Sequence, residues 1–185
     1  MNQAEIAQKT KAAILGANVL QEGYFIFADG DHARVKLEMD TLWEHPAELA
    51  VILDLLATPL DAPPADVILG VPEGGQRLAE VIAKKTGIPL IRLERIPGGA
   101  KQDFRFTTPT DQRRALSAKS PRIYEDVVTT LSSVAGVVKL LDPAHQDIHA
   151  VAIWRRGQVK EQYAVGVKDH YLVEEILPSF RPENP

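Results

Sequence analysis

The sequence predicts a doubly wound α/β fold, a parallel sheet with helices on its faces, elaborated by an N-terminal helix and hairpin. Three observations carry that prediction. From Asp66 onward the short apolar runs VILGV, IPLIRLE, PRIYEDV and IHAVAIW alternate with helical stretches, and strands separated by helices of about a dozen residues signal a parallel sheet. Glycines crowd the junction between the first of these strands and its helix, at Gly70, Gly74 and Gly75. The first 60 residues follow a different grammar, ending in the Pro-rich connection TPLDAPPAD.

Each element follows in turn. Ile6, Ala13, Ile14, Ala17 and Leu20 recur near helical spacing, which predicts an amphipathic helix ending before Gly23. GYFIFADGDHARVKLEM reads as two short strands around an Ala-Asp-Gly-Asp turn. Pro46 suits the first turn of a second helix, with an apolar stripe from Glu48 to Ala57. The α/β core is expected over 66–155: strand VILGV, helix EGGQRLAEVIAKKTG closed by Gly87, strand IPLIRLE, strand PRIYEDV, helix SSVAGVVKLLD and strand IHAVAIW. Between the second and third strands, 95–119 is a polar segment read as one flexible loop; loops beyond ~15 residues are usually functional. The whole chain, 1–185, is expected as a single domain, with 1–60 as its N-terminal elaboration.

Composition excludes several classes of function. The 185 residues hold 21 basic and 25 acidic side chains, a net charge of −4, which argues against a broad nucleic-acid or anionic-membrane footprint. No cysteine is present, so disulfides, thiolate metal sites and cysteine nucleophiles are excluded. The N-terminus mixes charges into its apolar positions, unlike a signal peptide, and no apolar run approaches the ~20 residues of a membrane span. A cytoplasmic protein is expected. His32, His45, His145, His149 and His170 show no metal-ligand spacing, so no protein metal site is predicted.

Two strand ends are chemically loaded, and ligands of open α/β sheets bind outside the carboxyl ends of strands. The first is Gly70-Val71-Pro72-Glu73-Gly74-Gly75. Glycines there let backbone N–H groups approach an anion, and the helix start favours negative charge. A tight strand-to-helix turn with no ligand is the plainer reading of that loop alone. The second is Ile123-Tyr124-Glu125-Asp126-Val127-Val128-Thr129-Thr130, an apolar strand running into two carboxylates and two hydroxyls. Adjacent carboxylates repel, so their placement suits gripping hydroxyls or a cation.

The run Glu125-Asp126-Val127-Val128-Thr129-Thr130 resembles the phosphoribosyl-pyrophosphate (PRPP) signature of the type I phosphoribosyltransferases, and the order of parts resembles the orotate subfamily. GVPEGG looks like the pyrophosphate loop, GYFIFADGDH is similar to the subfamily's G-x-F-x-L-x-S-G start, and Ile153-Trp154-Arg155-Arg156-Gly157 resembles its Asp-Arg-x-x-Gly element. The tail YAVGVKDHYLVEEIL fits the same pattern. The resemblance implies transfer of ribose 5-phosphate from PRPP to a pyrimidine-like base, with Mg²⁺ bound mainly through PRPP. It implies that Glu125 and Asp126 hold the ribose hydroxyls and that Glu73, Gly74, Gly75 and Arg95 face the pyrophosphate. Thr129, Thr130, Ser132 and Ser133 would face the 5′-phosphate, and Phe25 and Arg155 the base. A homodimer is implied, its flexible loop completing the neighbour's site.

The sequence also departs from the family pattern. Leu131-Ser132-Ser133 stands where two glycines normally precede a Ser or Thr, which predicts a side chain beside the phosphate cradle. Glu94 and Arg95 replace an Arg-Lys pair, and no histidine lies between His45 and His145. Lys101 is then the candidate catalytic cation, with Arg105, Arg113 and Arg114 nearby. Ala28, Asp29 and Trp154 differ from the subfamily's usual residues. Three readings stay open: a phosphoribosyltransferase, a non-catalytic PRPP- or nucleotide-binding regulatory protein with a degenerate site, and a domain that has lost the site.

Overall fold

The computed structural model describes residues 1–27, 30–58, 62–141 and 147–181. Helix α1 (Gln3–Gly16) starts on a reciprocal cap: Asn2 Oδ1 accepts from the Glu5 amide at 3.0 Å, and the Glu5 carboxylate accepts from the Asn2 amide at 2.9 Å. The helix stops at Gly16, so Leu20, expected in its stripe, instead opens β1 (Leu20–Ile26). Strand β1 pairs antiparallel with β2 (His32–Leu37), the expected hairpin; Ala28 and Asp29 of its turn lie outside the described residues. A 3₁₀ turn over Met39–Glu44 leads to α2 (Pro46–Ala57), with Pro46 in its first turn.

The core begins with β3 (Val67–Gly70) and α3 (Gly74–Thr86), the latter ended by Gly87 at φ +74°. The expected strand IPLIRLE divides at Arg92. Its first part, β4 (Leu90–Ile91), joins the main sheet; its second, β5 (Leu93–Arg95), leaves to pair antiparallel with β6 (Phe104–Phe106). The segment 95–119 is therefore not one loop. It holds β6 and helix α4 (Pro109–Ser117), capped by Thr108 Oγ1 accepting from the Asp111 amide at 3.1 Å. The irregular part shrinks to 96–103, closed by an Ile96 N–H to Asp103 carbonyl bond of 2.9 Å. Three-residue strands with exposed side chains read as polar loop, which is why the pattern misled.

Then come β7 (Pro121–Val128), α5 (Ser132–Val138), β8 (Ile148–Arg155), β9 (Val167–Glu174) and β10 (Ser179–Phe180). The expected helix SSVAGVVKLLD is shorter than predicted, and its Asp142, like His145, lies outside the described residues. The five-stranded sheet runs β4-β3-β7-β8-β9, every pair parallel. One apolar core joins α1, α2 and α3 to one face of the sheet, through residues such as Ile14, Ile52, Leu56 and Ile82. A second core packs α4, α5 and Phe104 of β6 on the opposite face. Helices on both faces confirm the doubly wound architecture. Strand β10 returns to pair with β2, which ties Ser179 and Phe180 to the N-terminal helix-and-hairpin elaboration, the hood. Among the described residues no helix is long and apolar enough to cross a membrane.

Candidate functional site

The two loaded strand ends meet. Parallel pairing sets Gly70 of β3 beside Tyr124 of β7, and the Val71 amide donates to the Tyr124 carbonyl at 2.9 Å. Their loops then pack at distances only glycine permits. A Cβ at Gly75 would lie 2.9 Å from Glu125 Cα and would overlap the Tyr124 carbonyl oxygen. A Cβ at Gly74 would lie 2.7 Å from Asp126 Cγ. The Asp126 carboxylate thus stands directly against the start of α3, where Glu73 supplies no side-chain cap to the helix amides. The Pro72–Glu73 peptide is cis.

A cleft of about 380 Å³ opens here between the core and the hood. Glu73, Gly74, Asp126 and Thr129 line it from the core, and Glu38, Met39 and Asp40 from the hood. A larger groove of about 780 Å³ runs between α1 and α2, but its walls are mostly apolar and lack this convergence of glycine loop and carboxylates.

Glu125 is buried, 9% exposed, and its carboxyl accepts from the Asp126 amide at 3.0 Å. Burial pushes its pKa well above the usual glutamate range, and the neighbouring Asp126 carboxylate adds to the rise; Arg95 opposes it. Arg95 is braced on the glycine loop, donating to the Pro72 carbonyl at 2.6 Å and also to the Lys101 carbonyl, with its guanidinium 5.4 Å from the Phe104 ring centre. It lines a second cleft of about 430 Å³ on the far flank of Glu73. Lys101 is exposed in the β5–β6 turn and lines neither cleft. The cations that do line the first cleft are Arg77 and Arg156.

The loop after β7 corrects one expectation. Leu131 takes φ +70°, the left-handed conformation that favours glycine, yet its side chain is 2% exposed within the second core. It therefore points away from any cradle, and the loop keeps the backbone shape without the glycine. Ser132 begins α5, and Thr130 Oγ1 donates to Ser132 Oγ at 3.1 Å. Thr130 and the half-buried Ser132 and Ser133 sit together at the helix start, while Thr129 is exposed to the cleft.

Neither residue named for the base, Phe25 or Arg155, lines this cleft. Arg155 is occupied outside the cleft: it pairs with Glu174 of β9 at 2.8 Å and its guanidinium lies 5.4 Å from the Tyr171 ring centre. Phe25 folds back on Gly23, where a Cβ would lie 3.1 Å from its ring tip. Instead Arg156 lines the cleft, its guanidinium 4.7 Å from the ring centre of Phe27 on the hood. Sequence reasoning missed this because the Glu174 partner sits on β9, a strand the pattern left unassigned. Arg77 was also missed: it lines the same cleft from the start of α3, where a positive side chain opposes the helix dipole.

No family model matches the chain. The orotate phosphoribosyltransferase of Thermotoga maritima is 29% identical over 181 residues, covering 97% of this chain and 88% of that protein. The crystal structure of orotate phosphoribosyltransferase from Aeropyrum pernix superposes with a TM-score of 0.71 at 21% identity, covering 89% of this chain and 92% of that one. The fold is that of the type I phosphoribosyltransferases. In sequence the chain is similar to orotate phosphoribosyltransferases. The fold does not select a base, since the phosphoribosyltransferase from Giardia lamblia solved with 9-deazaadenine also superposes, with a TM-score of 0.65 at 12% identity over 88% of this chain and 97% of that one.

Proposed function

We propose that this chain is a phosphoribosyltransferase of the orotate type. It breaks the bond between C1′ of PRPP and its pyrophosphate oxygen, forms a bond from C1′ to a ring nitrogen of a pyrimidine-like base, and releases pyrophosphate. The observation that carries the reading is the seating of the Asp126 carboxylate against Gly74, which merges an acidic strand end and an anion-suited glycine loop into one cleft.

In this reading Asp126 and Glu125 accept hydrogen bonds from the ribose hydroxyls and hold C1′ for attack. The amides of Gly74 and Gly75 and the positive end of α3 meet the pyrophosphate. Thr129, Thr130, Ser132 and Ser133 receive the 5′-phosphate, and Arg156 with Phe27 flanks the base. Catalysis then rests on placement and on stabilising the leaving group's charge. Bound together with PRPP, Mg²⁺ would supply neutralisation of the pyrophosphate charge. The residues fit it: Glu73 and Asp126 offer carboxylates to the cleft, while among the described residues no three ligating side chains form a cage, so substrate oxygens would complete its shell. A homodimer belongs to the same reading.

Calorimetric titration of PRPP with Mg²⁺ tests it, followed by a product search with orotate, uracil and adenine. Saturable PRPP binding, lost in the Glu125→Ala/Asp126→Ala variant, and a nucleotide formed from orotate are expected. Equal binding by that variant, or no nucleotide from any base, would overturn the assignment.

A further inference from the structure

We infer that Arg77 is the pyrophosphate-binding cation of this cleft and that Asp40 of the hood holds it in reserve until the anion arrives. The inference rests on the phosphoribosyltransferase reading and adds to it a residue and a gating partner. Arg77 lies in the first turn of α3, its amide donating to the Glu73 carbonyl at 3.2 Å. A positive side chain there opposes the helix dipole, and that turn holds no acidic residue to offset it. Its guanidinium reaches out of the helix instead, donating to Asp40 Oδ1 at 2.7 Å and stacking 4.2 Å from the Trp43 ring centre.

Position makes this cation suited to a polyanion. Arg77 lines both the cleft under the hood and the cleft on the other flank of Glu73, so it straddles the glycine loop. The first cleft is otherwise acid-rich, with Glu38, Asp40, Glu73 and Asp126 facing Arg77 and Arg156. Arg156 belongs to the Phe27 side, Lys101 lies outside, and Arg95, held by the Pro72 carbonyl, lines only the far cleft, so Arg77 is the arginine that the first cleft sets beside the glycine loop. Its present partner is weak competition. The Asp40 side chain is 82% exposed, and an exposed pair of this kind contributes little. A pyrophosphate carries several charges and accepts the planar fork in two bonds.

Titration of inorganic pyrophosphate with Mg²⁺ into the full chain separates the possibilities. Arg77→Gln is expected to weaken pyrophosphate binding at least tenfold, while Asp40→Asn, which keeps Arg77 and removes its competitor, tightens it several-fold. Arg77→Lys should fall between the wild type and Arg77→Gln. Opposite signs for the two partners are the signature, because a contact that merely clamped the hood would make both variants weaker alike. Parallel losses, or an Arg77→Gln affinity equal to wild type, would overturn the role of Arg77 while leaving the phosphoribosyltransferase reading intact. A wild-type protein that binds no pyrophosphate would overturn both. Should Arg77→Gln fail to fold, Arg77→Lys, which keeps the charge without the planar fork, decides: an affinity equal to wild type would overturn the role of Arg77.

Discussion

The two loops that build the cleft solve one geometric problem in opposite ways. After β3 the chain needs space: Gly75 lies so near β7 that a Cβ would meet Glu125 Cα at 2.9 Å, and no rotamer choice relieves a backbone contact. After β7 the chain needs a conformation: residue 131 must turn at φ +70°, and the structure meets that with leucine. The left-handed region costs a leucine about 1–2 kcal/mol, whereas burying its side chain contributes about 1.5–3 kcal/mol. Leu131, at 2% exposure in the second core, recovers the cost. A glycine required for space is thus irreplaceable, while one required only for backbone shape can be exchanged if the new side chain finds a core.

The largest expected effect breaks the space-limited loop. Gly75→Ala forces its methyl into the Tyr124 carbonyl and the Glu125 backbone, and overpacking against fixed strands costs about 3 kcal/mol or more. For a chain of this size that lowers Tm by roughly 6–12 °C. Gly74→Ala meets the Asp126 side chain, which can rotate aside, so its stability falls less while PRPP affinity is lost. Thermal denaturation and calorimetry on the two variants check the order. A Gly75→Ala protein as stable as wild type would show that the approach is not limiting.

The conformation-limited loop gives a smaller effect, read as the difference between two variants, with an unusual sign. Leu131→Ala empties part of the core and keeps the left-handed backbone, for a loss of about 2–5 kcal/mol. Leu131→Gly empties the same volume but relieves the backbone, so it should be more stable than the alanine variant by about 1 kcal/mol. Neither should change PRPP affinity through added room, because the leucine does not occupy the cleft. Urea denaturation of the pair checks it; alanine proving the more stable would mean the turn carries no strain.

What could be read from the sequence follows the same division. The alternation of apolar strands and helices was visible because buried strands write their environment into every residue, as in VILG of β3, where all four residues are buried. Glu125 and Asp126 were legible because adjacent carboxylates after an apolar strand are chemically odd. The hairpin β5–β6 was not, since LER and FRF are short and carry solvent-facing charges such as the Glu94–Arg105 pair at 2.7 Å. Helix α4 had a usable signal in Thr108-Pro109, a cap followed by a proline in the first turn. The direction of the Leu131 side chain, and the choice between Arg155 and Arg156, depend on the second core and on β9. Both are long-range facts that no local pattern encodes.

The smallest expected effect sharpens the comparison from the electrostatic side. The close approach that Gly75 permits also buries Glu125, so the same packing that shapes the loop raises that carboxyl's pKa. A group that holds its proton more tightly when folded loses stability for the protein as pH rises. Below the ordinary glutamate value of about 4.3 both states are protonated and nothing is lost. Above it the unfolded chain ionises first, and the loss grows until pH passes the elevated folded value. Glu125→Gln escapes that loss, so its Tm should match wild type at pH 4 and exceed it by a few degrees at pH 8. PRPP affinity moves the other way, because an ionised Glu125 accepts from the ribose hydroxyls and glutamine does so more weakly. Wild-type affinity should therefore climb with pH through the folded pKa, and the variant's should stay flat in the same range. A Tm difference independent of pH would mean that Glu125 is not held protonated, and that the tight packing around Gly75 leaves its carboxyl solvated.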